Sequence, residues 1–184
     1  DELVQVVAAG DLLDVQFFLD DVGKHLDRRA MGRIRAREPQ LGQWLPHAQL
    51  FQSALAWRLL DLTSANGVKV DRIITTKFPS YAAQHPHKIV WLVHQYRQAY
   101  DWYGTPLSEF TASQQDQKTR EKLFTLDRRM LGEARARFAI SKNVAARLKR
   151  FNALDATPLY PPPKLADKFF ADAYGDYILY VGRL

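Results

Sequence analysis

The chain of 184 residues contains no cysteine. Disulfide bonds and thiolate metal sites are therefore excluded, and packing must stabilise the fold. The sequence has no run of eighteen apolar residues and it opens with Asp1 and Glu2, so we expect neither a membrane span nor a signal peptide. These absences favour a cytoplasmic protein.

Several sequence motifs of known chemistry are also absent. There is no G-x-G, no phosphate-binding glycine loop, no G-x-S-x-G and no histidine pair at the spacing of helical metal ligands. The triplet His85-Pro86-His87 is too short and too constrained by proline for a metal site, and the glutamates form no obvious acid/base pair. We therefore predict no metal and no cofactor.

The composition, 47% apolar and 25% charged, is that of a folded domain with a buried core. The net charge of +6 is partly local, because six basic residues fall within fourteen positions: Lys24, Arg28, Arg29, Arg33, Arg35 and Arg37. This basic segment, residues 24–37, is either a solvated helix face or a surface for anionic lipid or nucleic acid.

Short apolar runs alternate with helical patterns along the chain, which is typical of a parallel sheet with crossover helices. The sequence predicts an α/β fold, a Rossmann-like parallel sheet with flanking helices. The predicted strands are Leu3 to Ala8, Arg72 to Thr76, Ile89 to His94, Phe138 to Ser141 and Thr157 to Tyr160.

The predicted helices follow from apolar side chains at helical spacing. One apolar face consists of Phe51, Leu55, Leu59 and Leu62, a second of Leu123, Leu126, Met130 and Ala134, and a third, after an N-cap at Ser141, of Val144, Leu148 and Phe151. Residues 11–46 fit neither period and are interpreted as mixed helix and loop. The prolines at 161–163 predict a linker or strand exit, and Tyr177 to Val181 a further buried strand.

Ligands of parallel sheets bind at the carboxyl ends of the strands. The predicted strand that ends in His94 is followed by Gln95, Tyr96 and Arg97 and then by further aromatic and polar residues, a composition that suits a sugar. An imidazole at a strand end can orient or deprotonate a hydroxyl group. The alternative is a histidine that caps a backbone carbonyl.

Two neighbouring loops have polar residues in comparable positions. Lys77 and Tyr81 follow one strand, where an ordinary turn around Pro79 is the alternative. Ser141 and Asn143 begin a helix directly after another strand, where free amides can hold a phosphate or hydroxyl and a simple N-cap is the alternative.

Segments from residue 69 onward resemble the amino-terminal domain of family 4 retaining glycosyltransferases, which have the GT-B fold. The resemblance rests on Asp71 to Tyr81, Lys88 to Gln95 and Phe138 to Ala145, in that order, and on Tyr177 to Leu184, which is similar to the first strand of the family's second domain. It implies an acceptor-side Rossmann-like domain at residues 1–163, without its first strand and glycine-rich loop. Residues 164–184 would be a linker and the first strand of the donor-binding domain.

The resemblance implies transfer of a hexose, with retention, from a nucleotide-diphosphate sugar to a hydroxyl acceptor. His94 would be catalytic, Gly182 and Arg183 would begin the loop at the donor diphosphate, and the substrate would contact Lys77, Tyr81, Gln95, Arg97, Ser141 and Asn143. The basic segment would then favour a lipid-linked or anionic acceptor, or docking on the inner face of the membrane.

The family's adjacent glycines and its two-glutamate motif have no counterpart in this sequence. We therefore expect the isolated chain to be an inactive fragment of such an enzyme. The alternative function is a non-enzymatic Rossmann-like module whose basic segment binds nucleic acid or an acidic partner. For the enzyme, we do not expect a nucleic-acid partner.

Overall fold

The computed structural model describes residues 6–9, 47–65, 67–162, 168, 170, 173 and 175–178. Its strands are β1 (Val6–Ala9), β2 (Ser64–Ala65), β3 (Val68–Lys69), β4 (Arg72–Lys77), β5 (Lys88–His94), β6 (Ala136–Ala139) and β7 (Thr157–Pro158). Its α-helices are α1 (His47–Leu59), α2 (Gln114–Gly132) and α3 (Lys142–Asn152), and two 3₁₀ helices span Ser80–Ala82 and Arg97–Ala99.

Five of these strands form one parallel sheet in the order β1-β4-β5-β6-β7, while β2 and β3 pair as a small antiparallel hairpin. The prediction of an α/β fold with a parallel sheet and flanking helices is therefore confirmed, and the architecture is compatible with a Rossmann-like fold. The hairpin was not predicted, because two-residue strands carry no periodic pattern.

The three helices pack on one face of the sheet. Strands follow one another across the sheet in chain order, and right-handed crossovers in such an order place their helices on the same side. The main core lies between these helices and the sheet, and its members from β5 and the helices include Val90, Leu92, Leu50, Leu123, Met130, Leu131, Val144 and Leu148. Strand β4 is buried on both faces from Ile73 to Thr76, as a central parallel strand should be.

Helix α1 buries a different face from the one that its sequence predicted. Leu55 and Leu59 are 54% and 76% exposed, whereas Leu50 and Ala54 are buried. The sequence offers two adjacent apolar stripes at helical spacing, and contact with the Ser80–Ala82 3₁₀ helix selects one of them. The predicted face was therefore wrong at Leu55 and Leu59.

The other two helices agree with the sequence. In α2, Leu123 and Met130 are buried as predicted. Helix α3 begins at the predicted N-cap, because the Ser141 hydroxyl accepts a hydrogen bond from the amide of Val144, and it buries Val144 and Leu148. It ends at Ala153, whose φ of 56° is in the left-handed region that terminates helices.

The remaining sequence predictions concern the two ends of the chain. Pro161 and Pro162 lie outside helices and strands, in agreement with a linker. Tyr177 and Ile178 form no strand and are 76% and 100% exposed, so they lack the buried-strand environment that was expected. Residues 179–184, most of the predicted linker at 164–184 and the whole 11–46 segment, with its basic residues, lie outside the described residues.

Candidate functional site

The carboxyl ends of β4, β5 and β6 bring three of the predicted site residues into one row. Lys77 pairs with His94 in the register of β4 and β5. Leu92 pairs with Ala139, and the amide of Ile140 donates to the carbonyl of Leu92 at 3.0 Å, which places Ser141 level with His94. Neighbouring strands are about 4.8 Å apart, so these residues share one edge of the sheet.

The imidazole of His94 is half-buried, and its Nδ1 lies 2.7 Å from the backbone carbonyl oxygen of Gln95. A carbonyl oxygen only accepts hydrogen bonds, so in the neutral ring Nδ1 carries the proton and Nε2 is an acceptor. The alternative that the sequence offered, a histidine that caps a backbone carbonyl, is therefore present in the structure. This contact uses only Nδ1, and Nε2 can still accept a hydrogen bond from a ligand.

Burial is the main cause that lowers the pKa of His94 below its ordinary value of 6.5. The positive charges of Lys77, Arg97 and Arg147 lower it further, whereas the hydrogen bond to the Gln95 carbonyl acts in the opposite direction. The ring is therefore neutral at pH 7, in the form that accepts a proton or a hydrogen bond.

Gln95 and Tyr81, both predicted to bind substrate, belong to the core. Gln95 is 1% exposed, donates from Nε2 to Oδ1 of Asn152 at 3.1 Å and accepts from Nε of Arg147 at 3.0 Å. Tyr81 has no exposed surface, and its hydroxyl has no hydrogen-bond partner. The Asp127 carboxyl lies near this hydroxyl, and each group shifts the pKa of the other. Neither side chain reaches the surface where substrate was expected.

Arg97 and Asn143 are at the surface. The guanidinium of Arg97 lies 4.2 Å from the ring centroid of Trp102, and its Nε is 3.8 Å from a carboxylate oxygen of Asp101. Asn143 is an exposed residue in the first turn of α3. Ser141 is the N-cap described above, which is the alternative that the sequence offered. Gly182 and Arg183 lie outside the described residues, so their predicted role stays a prediction.

A buried polar network lies behind His94 and was not predicted. Tyr100 donates to Asp127 at 2.6 Å, Asn152 donates to the Tyr100 hydroxyl at 3.1 Å, and Asn152 in turn accepts from Gln95. Arg147 joins the network through Gln95. The network therefore connects α2 and α3 to the loop after β5, which begins next to His94.

One member of this network had a detectable signal in the sequence. Asp127 lies between Leu123 and Met130 at helical spacing, so a carboxylate occupies an otherwise apolar face, and a buried carboxylate needs polar partners. Arg147 and Asn152 carry no such signal, because a polar residue beside an apolar helix face is ordinary.

Two surface cavities open at the opposite edge of the sheet, where the strands begin. Their volumes are about 640 and 560 Å³, and residues of both precede β4 and β5, among them Thr63, His85 and Pro86. Three ionic groups of the larger cavity already bind each other, since Glu133 accepts from both Arg58 and Lys88. The carboxyl edge is the better candidate site, because loops there present polar groups around a half-buried histidine.

Comparison with known proteins gave no match to a family model, to a curated protein or to a solved structure. The resemblance to family 4 glycosyltransferases therefore stays a prediction. Within the described residues, no helix is long and apolar enough to cross a membrane. The same part of the chain contains no group of three or more histidine, aspartate or glutamate side chains placed to hold a metal ion.

Proposed function

We propose that this chain supplies the acceptor-side domain of a retaining glycosyltransferase, which transfers a hexose from a nucleotide-diphosphate sugar to a hydroxyl group. The observation that carries the proposal is the half-buried His94 at the carboxyl end of β5. Its ring is held through Nδ1, which leaves Nε2 as an acceptor at the edge where open α/β sheets bind ligands.

The chemistry of His94 suits a sugar or acceptor hydroxyl. A neutral imidazole accepts a hydrogen bond from a hydroxyl group through Nε2, and its lowered pKa keeps it in that form at neutral pH. These features support transfer chemistry.

The aromatic side chains after β5 support the same substrate class. Trp102 and Tyr103 are partly exposed, and each has a guanidinium over its ring: Arg97 over Trp102 at 4.2 Å and Arg120 over Tyr103 at 3.3 Å. Such cation–π pairs fix the orientation of the rings and place donors beside them. Aromatic surface next to hydrogen-bond donors is the composition that sugars bind.

Transfer is tested in the complete gene product that contains this chain, with UDP-glucose, GDP-mannose and ADP-glucose as donors and release of the nucleoside diphosphate as the readout. We expect one donor to be consumed, and His94→Ala to lower the rate about 10²- to 10⁴-fold, the usual contribution of a positioned acid or base.

His87→Ala is the matched control, because His87 is an exposed histidine just before β5, at the opposite edge of the sheet. The transfer rate of His87→Ala should equal that of the unmodified protein. Absence of turnover with every donor, or a His94→Ala rate equal to that of the control, would refute the proposal.

A further inference from the structure

Positive charge gathers around His94 from three elements. Lys77 at the end of β4 pairs with His94 in register, Arg97 follows it three residues later, and Arg147 reaches the same loop from α3 through Gln95 at 3.0 Å. The charge of each of these three residues is felt at the imidazole, where it disfavours protonation. The candidate site therefore carries an excess of positive charge.

The carboxylate of Asp101 offsets part of this charge. It contacts Nη1 of Arg147 and lies 3.8 Å from Nε of Arg97, so one negative charge is shared between two guanidinium groups. Nη2 of Arg147 is buried and has no hydrogen-bond partner. Asp101 therefore neutralises only part of the charge of the two guanidinium groups, and the edge keeps a net positive charge.

The first turn of α3 adds to the same field. It contains no acidic residue, and its N-cap, Ser141, is level with His94. The amides of Lys142 and Val144 donate to the hydroxyls of Tyr160 and Ser141, so the turn contributes the positive end of the helix dipole rather than free donors, and this field adds to the charges of Lys77 and Arg97. An oxyanion at this edge would thus meet charges from both sides of β5.

We propose that the edge formed by Lys77, His94, Arg97 and the start of α3 binds a phosphate group carried by the acceptor. This inference deepens the proposed function and rests on it for the identity of the ligand as an acceptor. Phosphate fits better than carboxylate, because the oxygens of a tetrahedral phosphate point in different directions and can accept from donors that approach from different strands. Two sources share this chemistry, a soluble phosphorylated acceptor and a phospholipid headgroup.

Binding is measured on the 184-residue chain by NMR of its histidine rings during addition of inorganic phosphate, at an ionic strength kept constant with chloride. We expect the His94 signal to move saturably and the pKa of His94 to rise, because a bound anion stabilises the imidazolium form. The His87 signal, from the opposite edge, should not move with the same saturation.

Arg97→Met and Lys77→Met remove the charges while keeping much of each side chain. Each should weaken phosphate binding about tenfold, the effect of losing one hydrogen bond to a charged group. Lys69→Met is the control, since Lys69 is 85% exposed and lies before β4 at the far edge. Arg97→Met is the more informative variant, because Arg97 is exposed and its replacement should leave the fold intact.

Vesicles of phosphatidylcholine with or without phosphatidylglycerol separate the two sources of phosphate. If inorganic phosphate shifts the His94 signal and anionic vesicles do not, the acceptor is soluble. If vesicles bind and Arg97→Met weakens this binding while Lys69→Met leaves it unchanged, the phosphate belongs to a lipid headgroup. The inference is overturned if phosphate leaves His94 unmoved and vesicle binding is absent or equal in the two variants. Neither readout needs a sugar donor, so a failure here is distinct from absence of transfer.

Discussion

The hydroxyl of Tyr100 donates a hydrogen bond of 2.6 Å to Oδ2 of Asp127 inside the core. The tyrosine lies in the loop after β5, and the aspartate lies on helix α2. A buried carboxylate is stable only with donors around it. This contact therefore stabilises the fold and at the same time holds the loop in place.

Tyr100→Phe removes this donor and leaves the shape of the ring unchanged. We expect the free energy of unfolding to fall by about 2 kcal/mol, because Oδ2 of Asp127 stays buried without its partner. Urea denaturation followed by circular dichroism measures the change. Tyr177→Phe, at a 76% exposed ring, is the control and should change stability by less than about 0.5 kcal/mol. Equal stability of the two variants would contradict the role given to this bond.

Asp127 should make stability depend on pH in an unusual direction. Burial raises its pKa to about 7, although the hydrogen bond from Tyr100 acts to lower it. The folded state therefore keeps a proton that the unfolded state releases near pH 4. The contribution of protonated Asp127 to the free energy of unfolding is present below pH 4 and is lost as the pH rises to about 7.

Asp127→Asn isolates this effect, because asparagine resembles the protonated carboxyl and does not titrate. Relative to the variant, the unmodified protein should lose up to about 1.4 kcal/mol per pH unit between pH 4 and 7 and no more above that range. Urea unfolding of both proteins across pH 4 to 8 gives the difference, in which other titrating groups cancel. A constant difference over that range would show that Asp127 titrates normally.

Lys88 should be a major contributor to stability although it is a charged residue. It is 1% exposed, and its Nζ donates to the backbone carbonyls of Tyr81, Ala83 and Met130 at 2.8 to 3.1 Å and to Glu133 at 3.3 Å. Lys88→Met leaves the three carbonyls without this buried donor, although Glu133 keeps Arg58, so we expect the free energy of unfolding measured in urea to fall by about 3 kcal/mol.

The exposed Lys69 again provides the control for this measurement. Lys69→Met should stay within about 0.5 kcal/mol of the unmodified protein. If Lys88→Met is as stable as this control, the buried ammonium is dispensable.

Ala153 offers a position where stability can be raised. Its φ of 56° and ψ of 29° place a residue with a Cβ in the left-handed region at the end of α3. Glycine adopts this conformation freely, so Ala153→Gly should raise the free energy of unfolding by about 0.5 to 1 kcal/mol. Ala145→Gly, within the same helix, should lower it by about 1 kcal/mol, and the opposite signs make thermal denaturation a clear test.

The sequence predicted the sheet well because each strand is a short apolar run between helical patterns. The structure places β4 at Arg72–Lys77 and β5 at Lys88–His94, each within one residue of the prediction. The face of α1 could not be predicted, since two apolar stripes compete there and a tertiary contact decides between them. The β2–β3 hairpin is too short to leave a periodic signal.

The candidate site was predicted only in part. A strand end indicates where a side chain lies along the chain, so Lys77, His94 and Ser141 come together as expected. It does not indicate whether a side chain points toward solvent or toward the core. The prediction therefore missed that Gln95 and Tyr81 are buried in the core. Arg147 reaches the site from a helix distant in sequence, and no local pattern reveals such a contact.

The order of the five parallel strands also bears on how the domain is made. Each of β4, β5, β6 and β7 pairs with the parallel strand that precedes it in the chain. During synthesis from the amino terminus, each of these four strands thus finds its pairing partner already translated. We expect the sheet to grow outward from β1 in the order of translation.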